Sequence, residues 1–258
     1  MFILSSTANL NPPPGWEEGL LFRIYQNLLH ANRWHQLIDG LSITLQVTIL
    51  ATLLGVMLGF ILALMRISKF APARWFSSAY ITVIRGTPLL VQLLIWRQVI
   101  LPGREIPLLL VGVLAYAVNS SAYVCEIMRG GILSVDKGQT EAGRSVGLSK
   151  FNNMRLIVLP QAFKNALPSL SNEFITVFKE TSVLGMIAMT DLTRAATLIV
   201  SRTFDAFVPF ITIALMYLSI VMLLTWLLGK LERRLRKGDS HTEIKQGFWR
   251  TRRAKFSR

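Results

Sequence analysis

Four charged side chains, Arg85, Glu173, Lys179 and Glu180, interrupt stretches of otherwise uncharged, largely apolar sequence, each near the ~20 residues needed to cross a bilayer as a helix. The remaining residues of the 28 basic and 14 acidic ones fall between or beyond those stretches. A charge at membrane depth costs at least a few kcal/mol unless it is paired or hydrated, which makes these four the first candidates for a site. Glu173 and Glu180 are seven residues apart. On a helix that spacing is about 700°, some 20° short of two turns, with a rise of about 10.5 Å, so the two carboxylates share a face. Asn172 and Thr176 lie near the same stripe. Lys179 is rotated by about 100° from Glu180 and is expected to point elsewhere, toward another partner or toward the cytoplasmic side by snorkelling. A line of carboxylates and neutral hydrogen-bonding groups facing a bundle interior suits an ammonium group. The same residues also allow a structural reading, in which Glu173 neutralises Arg85 across two helices and Glu180 makes an ion pair or interface bond. Arg85 has the further option of meeting a carboxylate on a solute.

Other chemistries find no residues to carry them. His30, His35 and His241 are far apart and lack a second ligand at metal spacing, and a single Cys125 excludes an internal disulfide. No G-x-x-x-x-G-K-[ST] run is present, and no nucleophile, base and orienting group stand at recognisable spacing. Neither catalysis, nor ATP hydrolysis, nor a bound metal is expected of this chain.

The elements that must position the four charges are membrane helices. The chain of 258 residues is 52% apolar and only 16% charged, well below the roughly 25% charged content of soluble domains. Nearly charge-free runs cover 41–65, 76–96, 107–125, 165–190 and 207–229. They predict an all-α integral membrane protein of five transmembrane helices, the fourth interrupted by Asn172, Glu173, Lys179 and Glu180 and therefore buried within the bundle. Pro88 removes a backbone hydrogen bond and should kink the second span just after Arg85. Gly55 and Gly59 form a close-packing motif expected to serve contact within the subunit.

Orientation follows from Lys and Arg counts. Segments 66–75, 126–164 and 230–258 hold 20 basic residues, whereas 1–40, 97–106 and 191–206 hold 6. The positive-inside rule then places the N-terminus outside and the C-terminus in the cytoplasm. Residues 1–40 read as an extracytoplasmic lead-in with aromatics at headgroup level and no cleavable signal pattern. The tail 230–258 has 11 basic and 3 acidic residues; it reads as a topology anchor attracted to anionic lipid, and nucleic-acid binding is an unneeded explanation.

Segment 126–164 is too long for a simple turn between membrane helices. It contains Glu141, Ala142 and Gly143, then Gly147 after three residues, then Ile157, Val158, Leu159 and Pro160 after nine more. This pattern resembles the EAA loop of ABC importer permeases, with Gly143 standing where the family usually has alanine, a change that weakens a helix by up to about 1 kcal/mol. Read physically, the small residues let a partner surface approach closely, and Glu141 can pair with Arg144 at i, i+3. Arg85-Gly86-Thr87-Pro88-Leu89-Leu90-Val91-Gln92, then Ser121-Ala122-Tyr123 with Glu126, Arg129, Gly130 and Gly131, then Lys179-Glu180-Thr181-Ser182 resemble the polar amino acid branch of that family.

The resemblance covers about 40–235. It implies a type I fold with a five-helix domain over 41–229 and a coupling loop near 136–160. It also implies a permease subunit in a bacterial cell (inner) membrane that lines a pathway and docks ABC ATPase subunits through Glu141, Ala142, Gly143, Gly147, Leu159 and Pro160. ATP and Mg would sit on the partner ATPase, with no cofactor on this chain. A second permease subunit, identical or homologous, an extracytoplasmic solute-binding protein and a polar amino acid substrate complete the set. The alternatives are a permease for another small solute, such as methionine, a phosphonate or an organic cation, an ion-coupled secondary transporter, and a non-transporting scaffold. The Glu173 and Glu180 face would have little purpose for an anion, and five unequal spans lack an inverted repeat.

Overall fold

The computed structural model describes residues 19–103 and 105–236, so the segments 1–18 and 237–258, with Pro12, Trp16, His241 and most of the basic tail, lie outside the described residues. Among the described residues every regular element is helical. In chain order these are α1 (Gly19–Ile24), α2 (Trp34–Ile67), α3 (Ala71–Arg85), α4 (Leu89–Ile95), α5 (Leu108–Leu133), α6 (Lys137–Ser145), α7 (Lys150–Asn153), α8 (Leu159–Glu180), α9 (Leu192–Thr203) and α10 (Phe207–Arg236). One-turn π segments follow α1, α4 and α7, and a 3-10 segment, Thr181–Ile187, follows α8.

Among the described residues, α2, α5 and α10 are each long and apolar enough to cross a membrane alone. Two bent pairs raise the number to five if each pair counts as one span: α3 with Leu89–Ile100, bent by 103°, and Lys150–Ile187 with α9, bent by 49°. The second expected span is therefore a break rather than a kink. The first helix begins at Trp34, ahead of the apolar run that starts at 41, and α5 continues past Cys125 to Leu133. Much of what the sequence suggests is loop after Cys125 is thus helix, and the connection to α8 is built from α6, α7 and a π turn.

Residue size decides which helix is central. In α5, Ala115, Ala117, Ser120, Ser121 and Ala122 are all essentially buried, and small residues let neighbouring backbones approach closely. The facing positions on α2 are Gly55 and Gly59. A Cβ on Gly59 would come within 2.6 Å of Val124 Cβ, and one on Gly55 within 3.2 Å of Ser120 Cβ. The motif thus serves α2 against α5 inside one subunit. By contrast α10 presents Leu215, Leu218, Met222 and Trp226 outward, and only 17% of its apolar window is buried against 67% for α5. A helix apolar all round but covered on one side needs lipid on the other.

The break between α3 and α4 has a specific chemistry. In a continuous helix the carbonyl of Ile84 would accept from the N–H of residue 88, but Pro88 has none. The buried Gln92 supplies the missing donor: its Nε2 reaches Ile84 O at 2.8 Å, Thr87 Oγ1 at 2.7 Å and Thr87 O at 3.2 Å. Its Oε1 accepts from Asn119 Nδ2 on α5 at 3.1 Å. The bend is thereby satisfied internally, as irregular backbone at membrane depth must be.

At the end of the bundle where α1 meets the α9–α10 turn, Arg23 donates to Asp205 through Nε at 2.9 Å and also through Nη2. Asn27 donates to Asp205 Oδ2 at 2.9 Å and accepts from Thr203 Oγ1 at 2.8 Å. The Arg23 guanidinium beside Asp205 holds its carboxyl below the usual carboxylate range, with the Phe207 N–H and the Asn27 amide adding to the effect.

Candidate coupling loop and intramembrane polar hollow

The loop helix α6 is capped at both ends. Asp136 accepts from the N–H of Gly138 at 2.7 Å, an N-terminal cap. At the other end Leu148 N–H donates to Gly143 O at 3.1 Å and Gly147 N–H to Arg144 O at 3.0 Å, the paired bonds of a Schellman motif. Gly147 occupies the left-handed position with φ +86°, and nothing stands within 4 Å of where its Cβ would be. Conformation and not space therefore asks for glycine there.

Gly143 is a different case. A Cβ there would meet Ile157 Cδ1 at 2.5 Å and Asn153 Oδ1 at 2.6 Å. Asn153 is 2% exposed and ties α7 back to α6 by donating to Thr140 O at 2.8 Å, while its Oδ1 is buried without a hydrogen-bond partner. The glycine that departs from the usual alanine is thus a packing requirement of this chain. Glu141 and Ala142, the two residues before Gly143, are exposed. Glu141 and Arg144 form no ion pair: the Glu141 carbonyl accepts from Ser145 Oγ at 3.0 Å, and Arg144 lines a cavity behind the helix. Leu159 and Pro160 open α8, where proline suits the first turn because its missing N–H has no partner there in any case.

The four intramembrane charges are not gathered into one cluster. Glu180, Thr176 and Lys179 line a hollow of about 480 Å³ with Ser182 and Val183 beyond the end of α8 and Leu89 and Leu90 at the start of α4. Lys179 therefore shares the hollow with Glu180 instead of pointing away. The site lies where the α8 winding ends and tightens, so its lining comes from a helix terminus and not from one continuous stripe. Glu173, deeper in α8, accepts from Ser120 Oγ of α5 at 2.7 Å. Asn172 is exposed and does not line the hollow. Arg85 ends α3, with its guanidinium 5.2 Å from the centre of the Tyr123 ring. Arg85 and Glu173 form no ion pair among the described residues.

Sequence reasoning passed over the residues that hold this arrangement. Tyr116, buried in α5, donates to the Glu180 carbonyl at 2.6 Å and caps α8. Gln92 and Asn119 hold the break that turns Leu89 and Leu90 toward Glu180. A glutamine four residues beyond a proline in an apolar run was the available signal for one of them. Among the described residues no group of three or more His, Cys, Asp or Glu is placed to hold a metal ion.

An all-helical domain with three long apolar helices, two broken ones and a doubly capped loop helix on the motif Glu141 to Gly147 defines a type I importer permease. The chain belongs to the family of binding-protein-dependent transport system inner membrane components, whose model matches residues 55–237. It is similar to the arginine transport system permease protein ArtQ of Bacillus subtilis, 38% identical over 205 residues, 79% of this chain and 94% of that protein. The L-cystine transport system permease protein TcyB of the same organism is 40% identical over 212 residues, 81% of this chain and 90% of that protein. Among solved structures, an amino acid ABC transporter crystallised with histidines superimposes with a TM-score of 0.74 at 45% identity, covering 80% of this chain and 97% of that one.

Proposed function

We propose that this chain is the pathway-forming subunit of an ATP-driven, binding-protein-dependent importer of polar amino acids. The observation that carries the reading is the similarity to the amino acid transporter crystallised with histidines, over 80% of this chain, beside a family match over 55–237, a range that includes the loop helix and the polar hollow. The hollow supports it chemically. It holds one carboxylate, Glu180, and one ammonium, Lys179, with the hydroxyl side chains of Thr176 and Ser182 between apolar walls. A zwitterion presents the complement: its ammonium pairs with Glu180 and its carboxylate with Lys179, each charge-assisted bond gaining from the apolar surround. Glu173, turned to Ser120, holds α8 against α5, and Arg85 and Asn172 lie off the hollow.

The same reading assigns the exposed side of α6, with Glu141 and Ala142, to the docking of two ABC ATPase subunits that carry the ATP and Mg. This chain itself is non-catalytic and binds no cofactor. A second permease subunit completes the pathway, and an extracytoplasmic solute-binding protein delivers the amino acid. The basic segments face the cytoplasm of a bacterial inner membrane, with the N-terminus outside.

The test is ATP hydrolysis and uptake by the complete transporter in proteoliposomes, screened over amino acids, with Glu180→Gln beside the wild type. The expected result is stimulation by one or a few polar amino acids and a loss of about tenfold or more in the variant, the size of one charge-assisted bond. Stimulation in an assembled complex by a methionine-like, phosphonate or cationic solute alone, with none by a polar amino acid, would move the cargo to another class.

A further inference from the structure

Behind α6, on the side away from Ala142 and with Glu141 on its flank, lies a cavity of about 570 Å³ for which the transport reading has no use. Its size falls in the range of small-molecule sites, about 300–1,000 Å³. The floor is apolar, made by Ile132 and Leu133 at the end of α5 with Met154 and Val158. The rim carries Lys137, Arg144 and Lys150 and no carboxylate. None of these three cations takes part in an ion pair among the described residues. Lys137, Thr140 and Arg144 stand at i, i+3 and i+7 on α6, one helical face. The loop helix thus turns Ala142 outward and roofs the cavity with Thr140 and its basic neighbours, Glu141 standing at the edge between the two.

We infer that this cavity is a binding site for an anionic phospholipid headgroup. Two features choose that occupant. Three cations without an ion pair, outnumbering the one flanking carboxylate of Glu141, call for a phosphate-bearing anion, since basic pockets at the ends of membrane helices attract such headgroups. The apolar floor continues the membrane helix: α5 ends at Leu133, and Leu133 itself is 65% exposed. A headgroup phosphate between Lys137, Arg144 and Lys150 leaves the glycerol and the first acyl carbons against Leu133 and Met154. A free anion would fill the rim and leave the floor wet. Because the lipid would lie against the back of α6, it would brace the helix whose other side faces outward, and the density of anionic lipid would set how stiffly that helix transmits motion.

The experiment uses the assembled transporter, purified from membranes containing phosphatidylglycerol and exchanged into neutral detergent, with co-purifying lipid measured by mass spectrometry. Lys137→Gln, Arg144→Gln and Lys150→Gln together are expected to weaken phosphatidylglycerol retention about a hundredfold, each basic side chain near an anionic surface contributing about fivefold. Thr140→Phe, which fills the cavity and keeps all three cations, is expected to expel the lipid as well, and it decides the matter if the triple variant does not assemble. A variant with Arg252, Arg253 and Lys255 changed to Gln is expected to retain lipid like the wild type. Undiminished retention in the Thr140→Phe complex, or loss confined to the tail variant, overturns the site. Displacement of phosphatidylglycerol by soluble glycerol 3-phosphate at matched concentration overturns the lipid in favour of a free anion. The readout requires no transport, so it is independent of the cargo and of the role of Glu180.

Discussion

Replacing Gln92 by leucine keeps the volume and removes both ends of the clamp that holds the α3–α4 break. Two groups then stand without their main partner: the part-buried Ile84 carbonyl, already deprived of a donor by Pro88, and the buried Asn119 amide on α5. An unsatisfied buried polar group costs about 1–3 kcal/mol, giving about 2–6 kcal/mol for the pair. Thr87 Oγ1 lies 3.4 Å from Ile84 O and can tighten onto it, which brings the expectation to the lower half, about 2–4 kcal/mol. Asn119→Leu alone orphans the Gln92 Oε1. The double variant removes both polar ends of that bond and should cost less than the sum of the singles by about 1 kcal/mol or more. Unfolding free energies of the four proteins in mixed detergent, set out as a double-mutant cycle, measure that coupling. Additivity within about 0.5 kcal/mol would refute the clamp. Uptake should fall in Gln92→Leu without loss of assembly, since Leu89 and Leu90, which wall the hollow opposite Glu180, hang on the break.

Other consequences are more local. Gly143→Ala adds about 1 kcal/mol of helix propensity but forces Asn153 and Ile157 to move, and overpacking of about 1–3 kcal/mol wins; thermal unfolding should show net destabilisation, relieved by adding Ile157→Val, and a stabilised single variant would refute the packing account. At the α1 end, the carboxyl of Asp205 is held low by Arg23, so its contribution is complete above the unfolded-state value near 4 and is lost as pH falls through the lower folded-state value. Asp205→Asn should flatten the acid limb of the stability profile below about pH 4, and an unchanged acid limb would count against the clasp.

That the segment Glu141 to Gly147 is a distinct structural motif was legible in the sequence because its requirements are local. A Schellman turn fixes glycine at 147 and a cap fixes Asp136 within a dozen residues of each other, and short-range geometry leaves its mark on spacing. The Gly55 and Gly59 contact was legible for the same reason: a helix period marks a face, and small residues mark closeness. The apolar runs likewise fixed the helical membrane class through length alone.

What the four intramembrane charges touch was decided only by tertiary structure. Glu173 finds Ser120 across 53 positions of sequence, and Arg85 rests on Tyr123 of another helix. A helical wheel correctly separates Lys179 from Glu180 by about 100°, yet both line one hollow, because the helix ends there and the walls arrive from α4. Pro88 announced a kink; that it became a bend of 103° depended on a glutamine side chain returning to Ile84 and an asparagine on α5 holding it. Sequence patterning records what each segment must bury and where its own hydrogen bonds fail. Which distant group makes good that failure depends on how the helices pack, and it is this that gives the hollow its shape.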